Sequence, residues 1–501
     1  MHIGHRKRLG TFIVILITSL ILQMSLHYKI FQKLKRRSQS DDYRMPESDV
    51  LSNTSYIAGL YYSNWSPYEP RLHFPHDIDF EKVSHIYYAF LLIDPETGKL
   101  TSSDEWSDTQ LNLAKQCREY MFKRFTGDEL KSVTNIRAPP GCIGELNYLR
   151  YIYSKIKKRN VKLIMSVGGW SNRESFPIMV RDELKFKNFI NSCIETMVYY
   201  GFDGIDLDWE FPEDDSYEPD AYLRMARELK LQLQKLEANI LGDHSNKTFQ
   251  LSMATPAFKD KLSILPIHKL DKYIDLWNLM TYDYYGEWSE RTGLHANLYN
   301  EKGKLLHLHR HDEDAGLSGD AAINYMVNRC KIDPRKVILG MAAYGRGFTN
   351  VDMKSTNPHN PYGLKFSGVG GASEGEPGMW LYNQLPIPGS NEKYDYRHVG
   401  AYCYDDRTHT LVGYDNPTSV IEKANYIMSN SLGGAFWWES CGDTHKNPKR
   451  SLLNTYIRVI RNVKNNKETI YSTTKLHDYY LENYDTNGFL TGFIKDIIQE
   501  S

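Results

Sequence analysis

The chain has 501 residues, which is long enough for one large domain or for two or three ordinary ones. Hydrophobic residues make up 41% and charged residues 25% of the chain, the balance of an ordinary folded globular protein. The formal net charge of −1 lacks the basic excess of nucleic-acid-binding proteins, so we expect no nucleic-acid partner.

The N-terminal residues 1–37 have the pattern of a targeting segment with basic flanks. Basic residues at 6–8 precede an apolar run at 11–26, which is longer than a usual signal-peptide core and shorter than a comfortable membrane span. A second basic cluster follows at 33–37. We interpret 1–37 as a signal or anchor segment that can contact a membrane, and the polar residues 38–53 as a linker.

The two basic clusters compete under the positive-inside rule, so charge alone leaves the orientation of the segment open. Glycosylation sequons start at Asn53 and Asn246, and such sites are typical of surface loops in secreted proteins. We therefore predict a protein of the secretory pathway that is extracellular or at the cell surface. Whether the segment stays as an anchor or is removed is left open.

Eight apolar, strand-like runs recur along the rest of the chain, with amphipathic helical patterns between them. The runs cover residues 57–62, 85–92, 161–167, 202–209, 249–254, 274–282, 337–344 and 433–438. Repeated alternation of strands and helices predicts a parallel sheet, and eight strands close into a (β/α)8 TIM barrel. We place this α/β domain at residues 54–464.

Two connections between the predicted strands are too long for simple loops. They are residues 93–145 and residues 347–412. The second begins with several glycines and then becomes strand-like, which predicts an α+β insertion lobe after strand seven. The polar tail at 465–501 has no assignment.

Six cysteines are spread along the chain, and none has the close spacing of a zinc site. We interpret most of them as buried thiols, because a core of this size does not need disulfide bonds. A bridge between Cys117 and Cys142 is the one disulfide that we consider feasible. The run 307–312 holds three histidines in a polar context without cysteine, so we expect no metal site there and no cofactor.

The most informative pattern lies in the fourth predicted strand and just after it. Asp206, Asp208 and Glu210 are two residues apart, so on a strand their side chains project from one face. The residues between and before them, 205, 207 and 209, are apolar. Burying several like charges is costly and keeps some of them protonated, so packing alone does not favour this row. We therefore predict a site of proton chemistry at the carboxyl end of this strand.

This row and five further motifs resemble the family-18 glycoside hydrolases, the chitinases, and among them the fungal enzymes. Residues 203–210 match the family pattern Asp-Gly-x-Asp-x-Asp-x-Glu at every fixed position. The other motifs are Tyr-Tyr-Ser-Asn-Trp at 61–65, Ser-Val-Gly-Gly-Trp at 166–170, Met-Thr-Tyr-Asp at 280–283, Tyr-Gly-Arg at 344–346 and Gly-Ala-Phe-Trp-Trp-Glu at 434–439. They stand on the predicted strands in the order that the family has.

The resemblance implies a substrate-assisted hydrolysis with retention, in which the N-acetyl carbonyl of the sugar attacks the anomeric carbon. Glu210 would act first as the general acid and then as the base that activates water. Asp208 would share a proton with Asp206 and then hold the acetamido N–H. Tyr282 would bind the acetamido oxygen. The three carboxyl groups would titrate as a coupled set.

The resemblance also implies a set of residues around the reacting sugar. They are Tyr61, Ser166, Gly169, Met280, Asp283, Arg346 and Trp438. Tyr61 and Ser166 would support Asp206 by hydrogen bonds. Trp438 would form an apolar floor under the sugar, because an indole face offers a large flat area to a pyranose.

Two charged members of this set have alternative roles. Asp283 would either bind sugar hydroxyls or support Glu210. Arg346 would reach the acceptor side or the acetamido pocket, and a structural ion pair is the alternative.

Three functions remain open at this point. They are a chitinase acting on β-1,4-linked N-acetylglucosamine polymers or oligomers, a chito-oligosaccharide-binding lectin, and an endo-β-N-acetylglucosaminidase acting on N-glycans. The presence of both Glu210 and Asp208 favours an enzyme, since lectins of this family typically lose the acid. The Tyr282-Asp283 pair and the long insertion favour chitin. We predict a monomeric chitinase of fungal cell-wall or spore-wall remodelling, with endo or exo action left open.

Overall fold

The structure is a computed structural model of the chain. It describes residues 56–131, 138–213, 215–241, 249–300, 316–353, 360–371, 376–443 and 447–461. Several regions discussed above lie outside the described residues. These are the N-terminal segment 1–37, the linker 38–53, the tail 465–501, the sequons at Asn53 and Asn246, and the run 307–312.

The described residues contain fourteen strands. They are β1 (Ile57–Ser63), β2 (His85–Ile93), β3 (Leu100–Ser102), β4 (Lys162–Gly168), β5 (Gly204–Asp208), β6 (Gln250–Pro256), β7 (Leu276–Met280), β8 (Val337–Ala342), β9 (Tyr344–Phe348), β10 (Met379–Leu381), β11 (Asn391–Asp395), β12 (Gly400–Asp405), β13 (Thr410–Tyr414) and β14 (Gly434–Trp438).

Eight of these strands form a closed parallel barrel, which confirms the predicted fold. Their order around the barrel is β1, β14, β8, β7, β6, β5, β4 and β2, and β1 pairs with β2 to close the ring. The predicted runs agree with these strands to within two residues at each end. The short strand β3 was not predicted, and it pairs antiparallel with the end of β2.

Helices follow most barrel strands. They are α1 (Ala114–Arg124), α2 (Gly127–Lys131), α3 (Gly141–Lys157), α4 (Ser175–Val180), α5 (Glu183–Tyr199), α6 (Tyr217–Leu241), α7 (Lys259–Ile264), α8 (Ile267–Leu270), α9 (Gly319–Asn324), α10 (Pro417–Ser429) and α11 (Leu452–Arg461). The start of α5 is set by Asp182, whose carboxylate accepts hydrogen bonds from the backbone N–H groups of Leu184 and Lys185. No helix in the described part of the chain is long and apolar enough to span a membrane.

The side chains of β5 point alternately into two packed regions of the protein. Ile205, Leu207 and Trp209 are buried in the large core between the strands and the helices, where the Trp209 ring stacks on Phe176 at 5.0 Å between centroids. A smaller apolar core, which includes Tyr61, lies inside the barrel. Because successive side chains point to opposite faces of a strand, the acidic residues of β5 face this barrel interior.

The predicted insertion lobe is present after the seventh barrel strand. Strands β9 to β13 form a separate antiparallel sheet in the order β10, β9, β13, β12, β11. The sheet begins at Tyr344, three residues before the predicted start, because β9 follows β8 after the single residue Ala343. The lobe has its own small core, in which Phe348 and Leu411 are buried.

All six cysteines are buried free thiols. The disulfide bond considered between Cys117 and Cys142 is therefore not formed. Cys142 Sγ instead lies 3.5 Å from the hydroxyl oxygens of Tyr62 and Ser107. Burial raises the pKa of the Cys142 thiol to about 12, so it stays protonated. The interpretation of these residues as buried thiols agrees with the structure.

Candidate active site

Asp206 lies inside the barrel with none of its side chain exposed. Its carboxylate accepts hydrogen bonds from four different strands. The hydroxyls of Tyr61 and Ser166 each donate to Oδ2 at 2.8 Å. Ser252 Oγ donates to Oδ1 at 2.6 Å, and Asn278 Nδ2 donates to the same oxygen at 3.2 Å. Tyr61 and Ser166 therefore lie where the resemblance implies, whereas the other two donors were missed.

The sequence did contain a signal for the two missed donors. Ser252 and Asn278 are polar residues within predicted strands that are mostly apolar, and both are fully buried. A polar side chain inside a barrel strand needs a hydrogen-bond partner, and the acid row is the nearest source of acceptors. Which strand position faces that row could not be read from the pattern alone.

Asp208 ends β5 and is buried, while Glu210 lies two residues past the strand end and is partly exposed. The predicted run extended to residue 209, so the strand ends one residue earlier than predicted. Among the described residues, Asp208 Oδ1 is buried without a hydrogen-bond partner. An ionised Asp208 would therefore be a poorly solvated anion.

The three carboxyl groups have raised pKa values for related reasons. Burial raises the pKa of Asp206 to about 6, although its hydrogen bonds oppose that rise. Burial, followed by the charges of Glu210 and Asp206, raises the pKa of Asp208 well above its ordinary value. Burial, followed by the charges of Asp283 and Glu376, raises the pKa of Glu210 to about 8. At neutral pH Glu210 therefore carries the proton that a general acid needs.

Tyr282 follows β7 and is buried at the mouth of the barrel. Its ring packs edge-on against Tyr344 and Phe436, with centroids 6.1 and 6.2 Å away. Burial and the charges of Asp208 and Glu210 raise the pKa of Tyr282 well above its ordinary value. The hydroxyl thus remains a neutral hydrogen-bond donor close to the acid row.

Asp283 and Arg346 form an ion pair, which is the alternative considered for this arginine. Arg346 Nε and Nη2 donate to the two carboxylate oxygens of Asp283 at 2.8 and 3.0 Å. His295 Nδ1 lies 3.5 Å from Asp283 Oδ1, and the Arg346 and His295 contacts hold the pKa of Asp283 below its ordinary value. Arg346 Nη1 also donates to Glu376 of the insertion at 3.1 Å.

His295 and Glu376 were not predicted as site residues. Both lie in connections between strands, where the sequence has no periodic pattern to place them. Glu376 is half-exposed, and its charge contributes to the raised pKa of Glu210. The insertion therefore supplies a charge to the same region as the acid row.

Trp438 ends β14 and is only partly exposed, at the edge of the inner core. Its ring stacks on Phe90 at 5.6 Å and lies 5.6 Å from Tyr61 and 6.1 Å from Trp65. This aromatic cluster connects Trp438 to Tyr61, which donates to Asp206. Trp438 is therefore placed beside the acid row with part of its ring accessible.

Gly169 and Met280 have different surroundings. Gly169 has a φ of +79°, and a Cβ there would lie 2.6 Å from the Phe90 ring, so only glycine fits. Its N–H donates to the carbonyl of Asp208 at 2.9 Å and ties the end of β4 to the acid row. Met280 ends β7, is partly exposed and packs against the inner core.

The arrangement combines a protonated acid at the barrel mouth, two buried carboxyl groups on the same strand and a neutral phenol beside them. Such a site suits the transfer of a proton to a leaving oxygen and its later return. With the closed barrel, it defines a TIM-barrel hydrolase that works by acid–base chemistry at the carboxyl ends of its strands.

Comparison with known proteins agrees with this class. The model of the glycosyl hydrolases family 18 matches residues 58–443, and the chain belongs to this family. The chain is 42% identical over 505 residues to sporulation-specific chitinase 2 of Saccharomyces cerevisiae, covering 97% of this chain and 95% of that protein. The resemblance to fungal family-18 enzymes is thereby confirmed.

Solved structures share the fold. Chitinase ChiA74 from Bacillus thuringiensis superposes with a TM-score of 0.64 at 26% identity, covering 83% of this chain and 71% of that chain. A class V chitinase mutant from Nicotiana tobaccum, solved in complex with NAG4, has a TM-score of 0.60 at 23% identity. The match covers 81% of this chain and 99% of that chain.

Proposed function

We propose that the protein is a chitinase that hydrolyses β-1,4-linked N-acetylglucosamine polymers or oligomers with retention at the anomeric carbon. The observation that carries this proposal is the protonated Glu210 at the mouth of the barrel, next to the buried carboxyl groups of Asp208 and Asp206 on the same strand. The named chitinase relative and the NAG4-bound fold neighbour support the substrate class.

In the first step, Glu210 donates its proton to the glycosidic oxygen as the bond to the anomeric carbon breaks. The carbonyl oxygen of the sugar's own acetamido group attacks that carbon, giving a cyclic oxazolinium ion. Tyr282 donates a hydrogen bond to the acetamido oxygen and positions it for attack. Asp208 accepts the acetamido N–H and stabilises the positive charge that develops there.

In the second step, Glu210 is a carboxylate and removes a proton from water as the water adds to the anomeric carbon. The oxazolinium ring opens, the acetamido group is restored, and Glu210 regains its proton. Two displacements at the same carbon give net retention. Trp438 supports the apolar face of the sugar during both steps.

The alternatives differ in the use of these residues. A lectin would bind the sugar without needing a proton on Glu210, so lectin function does not explain the raised pKa of Glu210. An endo-β-N-acetylglucosaminidase would use the same chemistry on N-glycans. The relatives named above are chitinases, which favours chitin.

The test is to incubate the purified protein with a chitin hexamer and to follow product sizes and anomers with time. We expect shorter oligomers that appear first as the β-anomer. Initial release of the α-anomer would show inversion and refute substrate assistance. Binding of the hexamer without cleavage would favour the lectin, and cleavage of a high-mannose N-glycan in preference to the hexamer would favour the glycosidase.

We also propose that the protein is a monomer of the secretory pathway, extracellular or at the cell surface, and acts on fungal cell-wall or spore-wall chitin. The basic and apolar residues 6–26 and the sequon at Asn246 support this location. Glycosidase treatment of the native protein should increase its electrophoretic mobility. A protein without glycan that fractionates with the cytosol would refute the location.

A further inference from the structure

A buried carboxyl group follows Trp438 directly and takes no part in the chemistry proposed above. Glu439 comes after the end of β14, and its side chain is 2% exposed. Ser63 Oγ donates a hydrogen bond to Glu439 Oε2, and Arg71 Nε lies 3.6 Å from Glu439 Oε1. Burial raises the pKa of this carboxyl group, while the charge of Arg71 and the hydrogen bond from Ser63 favour its ionised form. Glu439 is therefore held by two side chains from the region of β1.

Both partners of Glu439 belong to the segment that carries Trp65. Ser63 ends β1, which lies beside β14 in the barrel, and Arg71 is in the loop that follows β1. Trp65 stands between them, in a turn where the Ser63 carbonyl accepts a backbone hydrogen bond at 2.9 Å. The Trp65 ring lies 6.1 Å from the ring of Trp438. The contacts of Glu439 thus join the backbone segments that carry these two neighbouring rings.

The other side of the turn that carries Trp65 is held separately. Asn64 Nδ2 donates to Asp108 Oδ1 at 2.9 Å, and the backbone N–H of Asn64 donates to the carbonyl of Ala89 on β2 at 2.8 Å. These contacts fix the turn against β2 without help from Glu439. Loss of Glu439 should therefore change how the turn meets the end of β14, while the turn itself keeps its place.

A contribution to stability alone does not account for the pairing of Arg71 with Glu439. Their side chains are 8% and 2% exposed, so both charged groups have lost most of their contact with water. A buried ion pair of this kind can often be replaced by apolar residues with little loss of stability. Its contacts are directional, however, because a buried charge that leaves its partner is strongly disfavoured. Such a pair fixes the geometry of the segments that it joins.

We propose, on the basis of the function proposed above, that Glu439 is a positioning residue that acts through Trp438. Together with its two partners it holds the ring of Trp438 against that of Trp65 before a sugar binds. The aromatic face that supports the reacting sugar is then preformed, so binding does not have to order it. Without Glu439 part of the binding free energy would be spent on fixing this ring.

The first test measures the affinity for chitin hexamer by calorimetric titration of the full-length protein carrying Glu210→Gln, which should not consume the sugar. Glu439→Gln keeps the size of the side chain and an acceptor for Ser63, but it removes the charge that faces Arg71. We expect Glu439→Gln to weaken hexamer binding about tenfold. Ser63→Ala, which removes the other contact of Glu439, should weaken binding in the same direction. Unchanged affinity in both variants would overturn the proposal.

A matched control lies further along the same loop. The buried carboxylate of Asp443 accepts hydrogen bonds from Ser451 Oγ at 2.6 Å and from the backbone N–H of Leu452 at 2.8 Å, at the start of α11. Asp443→Asn therefore removes a buried charge after β14 without touching the contacts of Glu439. It should leave the hexamer affinity unchanged, and a loss as large as that of Glu439→Gln would show that any damage to this loop has the same effect.

A double-mutant cycle tests whether Glu439 acts through Trp438. If it does, Glu439→Gln should cost little further affinity in a protein that already carries Trp438→Ala, because the ring that it positions is gone. Losses of affinity that add up in the double variant would show that Glu439 acts on binding by another route and would overturn the proposal.

A measurement without sugar reports on the ring directly. Protein labelled with fluorotryptophan gives one fluorine NMR resonance per tryptophan, and Trp438→Phe and Trp65→Phe assign the two resonances that matter. In Glu439→Gln the Trp438 resonance should shift or broaden, because the ring samples more than one position. In Asp443→Asn it should stay as in the wild type. A Trp438 resonance that Glu439→Gln leaves unchanged would overturn the proposal.

These outcomes separate the positioning role from the proposed function. A wild-type protein that cleaves no chitin hexamer, but whose Trp438 resonance moves in Glu439→Gln, would refute the proposed function and leave the positioning role of Glu439 supported. A protein that cleaves the hexamer, but in which Glu439→Gln changes neither the affinity nor the Trp438 resonance, would refute the positioning role alone.

Discussion

The substitution Glu210→Gln is the sharpest perturbation of the site. Burial, followed by the charges of Asp283 and Glu376, raises the pKa of Glu210 to about 8. At pH 6 the carboxyl group is then protonated in about 99% of molecules. Glutamine matches this neutral form in size and charge but has no acidic proton to donate, so binding should be preserved while catalysis is lost.

The expected loss follows from the role of a positioned general acid. Such a group contributes about 10²- to 10⁴-fold to the rate, which corresponds to about 2.7–5.5 kcal/mol in the barrier. Initial rates on chitin hexamer at pH 6 measure the loss, and calorimetric titration with the same hexamer measures binding. The wild-type rate should also decline as pH rises through about 8, because Glu210 then loses its proton.

A matched control is available three residues further on. Glu213 is an exposed acid in the same loop, so Glu213→Gln should leave both rate and affinity near the wild-type values. If Glu210→Gln keeps more than a tenth of the wild-type turnover, Glu210 is not the general acid. If it loses binding as strongly as turnover, the loss reflects a damaged site instead of a missing proton.

Three further changes have distinct outcomes. Asp283→Asn removes a charge that raises the pKa of Glu210, so the basic limb of the pH–rate profile should move to lower pH; an unmoved limb would contradict this electrostatic link. Trp438→Ala should raise KM about tenfold by removing an aromatic face, as steady-state kinetics can check. Arg150→Met breaks a 2.6 Å ion pair with Asp203 in which both side chains are 1% exposed, so it should destabilise the fold by about 3–5 kcal/mol in denaturant unfolding. A change below about 1 kcal/mol would show that Asp203 finds another partner.

Local periodicity was enough to predict the barrel and the acid row. The two-residue repeat of Asp206, Asp208 and Glu210 against apolar neighbours indicated one polar face, and β5 has that division between the barrel interior and the outer core. The eight barrel strands were predictable for the same reason, because each is a short apolar run of nearly continuous burial. The family motifs in the sequence indicated Glu210 as the general acid, with Asp208, Asp206 and Tyr282 as further site residues.

The insertion lobe was only partly predictable. Its length and composition indicated an extra unit after strand seven, but its first strand begins directly after β8, at Tyr344. The apolar run at 337–344 therefore looked like one strand, although it contains the end of one sheet and the start of another. Sheet membership depends on distant pairing partners, and local pattern carries no information on those.

Tertiary structure alone decided which polar groups meet at the acid row. Ser252 and Asn278 lie 46 and 72 residues from Asp206 along the chain, and Arg346 lies 63 residues from Asp283. The Ser252 and Asn278 contacts arise because closure of the barrel brings strands that are far apart in sequence to one central point. The Asp283–Arg346 contact joins the end of β7 to β9 of the insertion sheet. The sequence indicated which side chains are candidates for the chemistry, whereas the tertiary structure determined which of them are close enough to form hydrogen bonds or to shift each other's pKa.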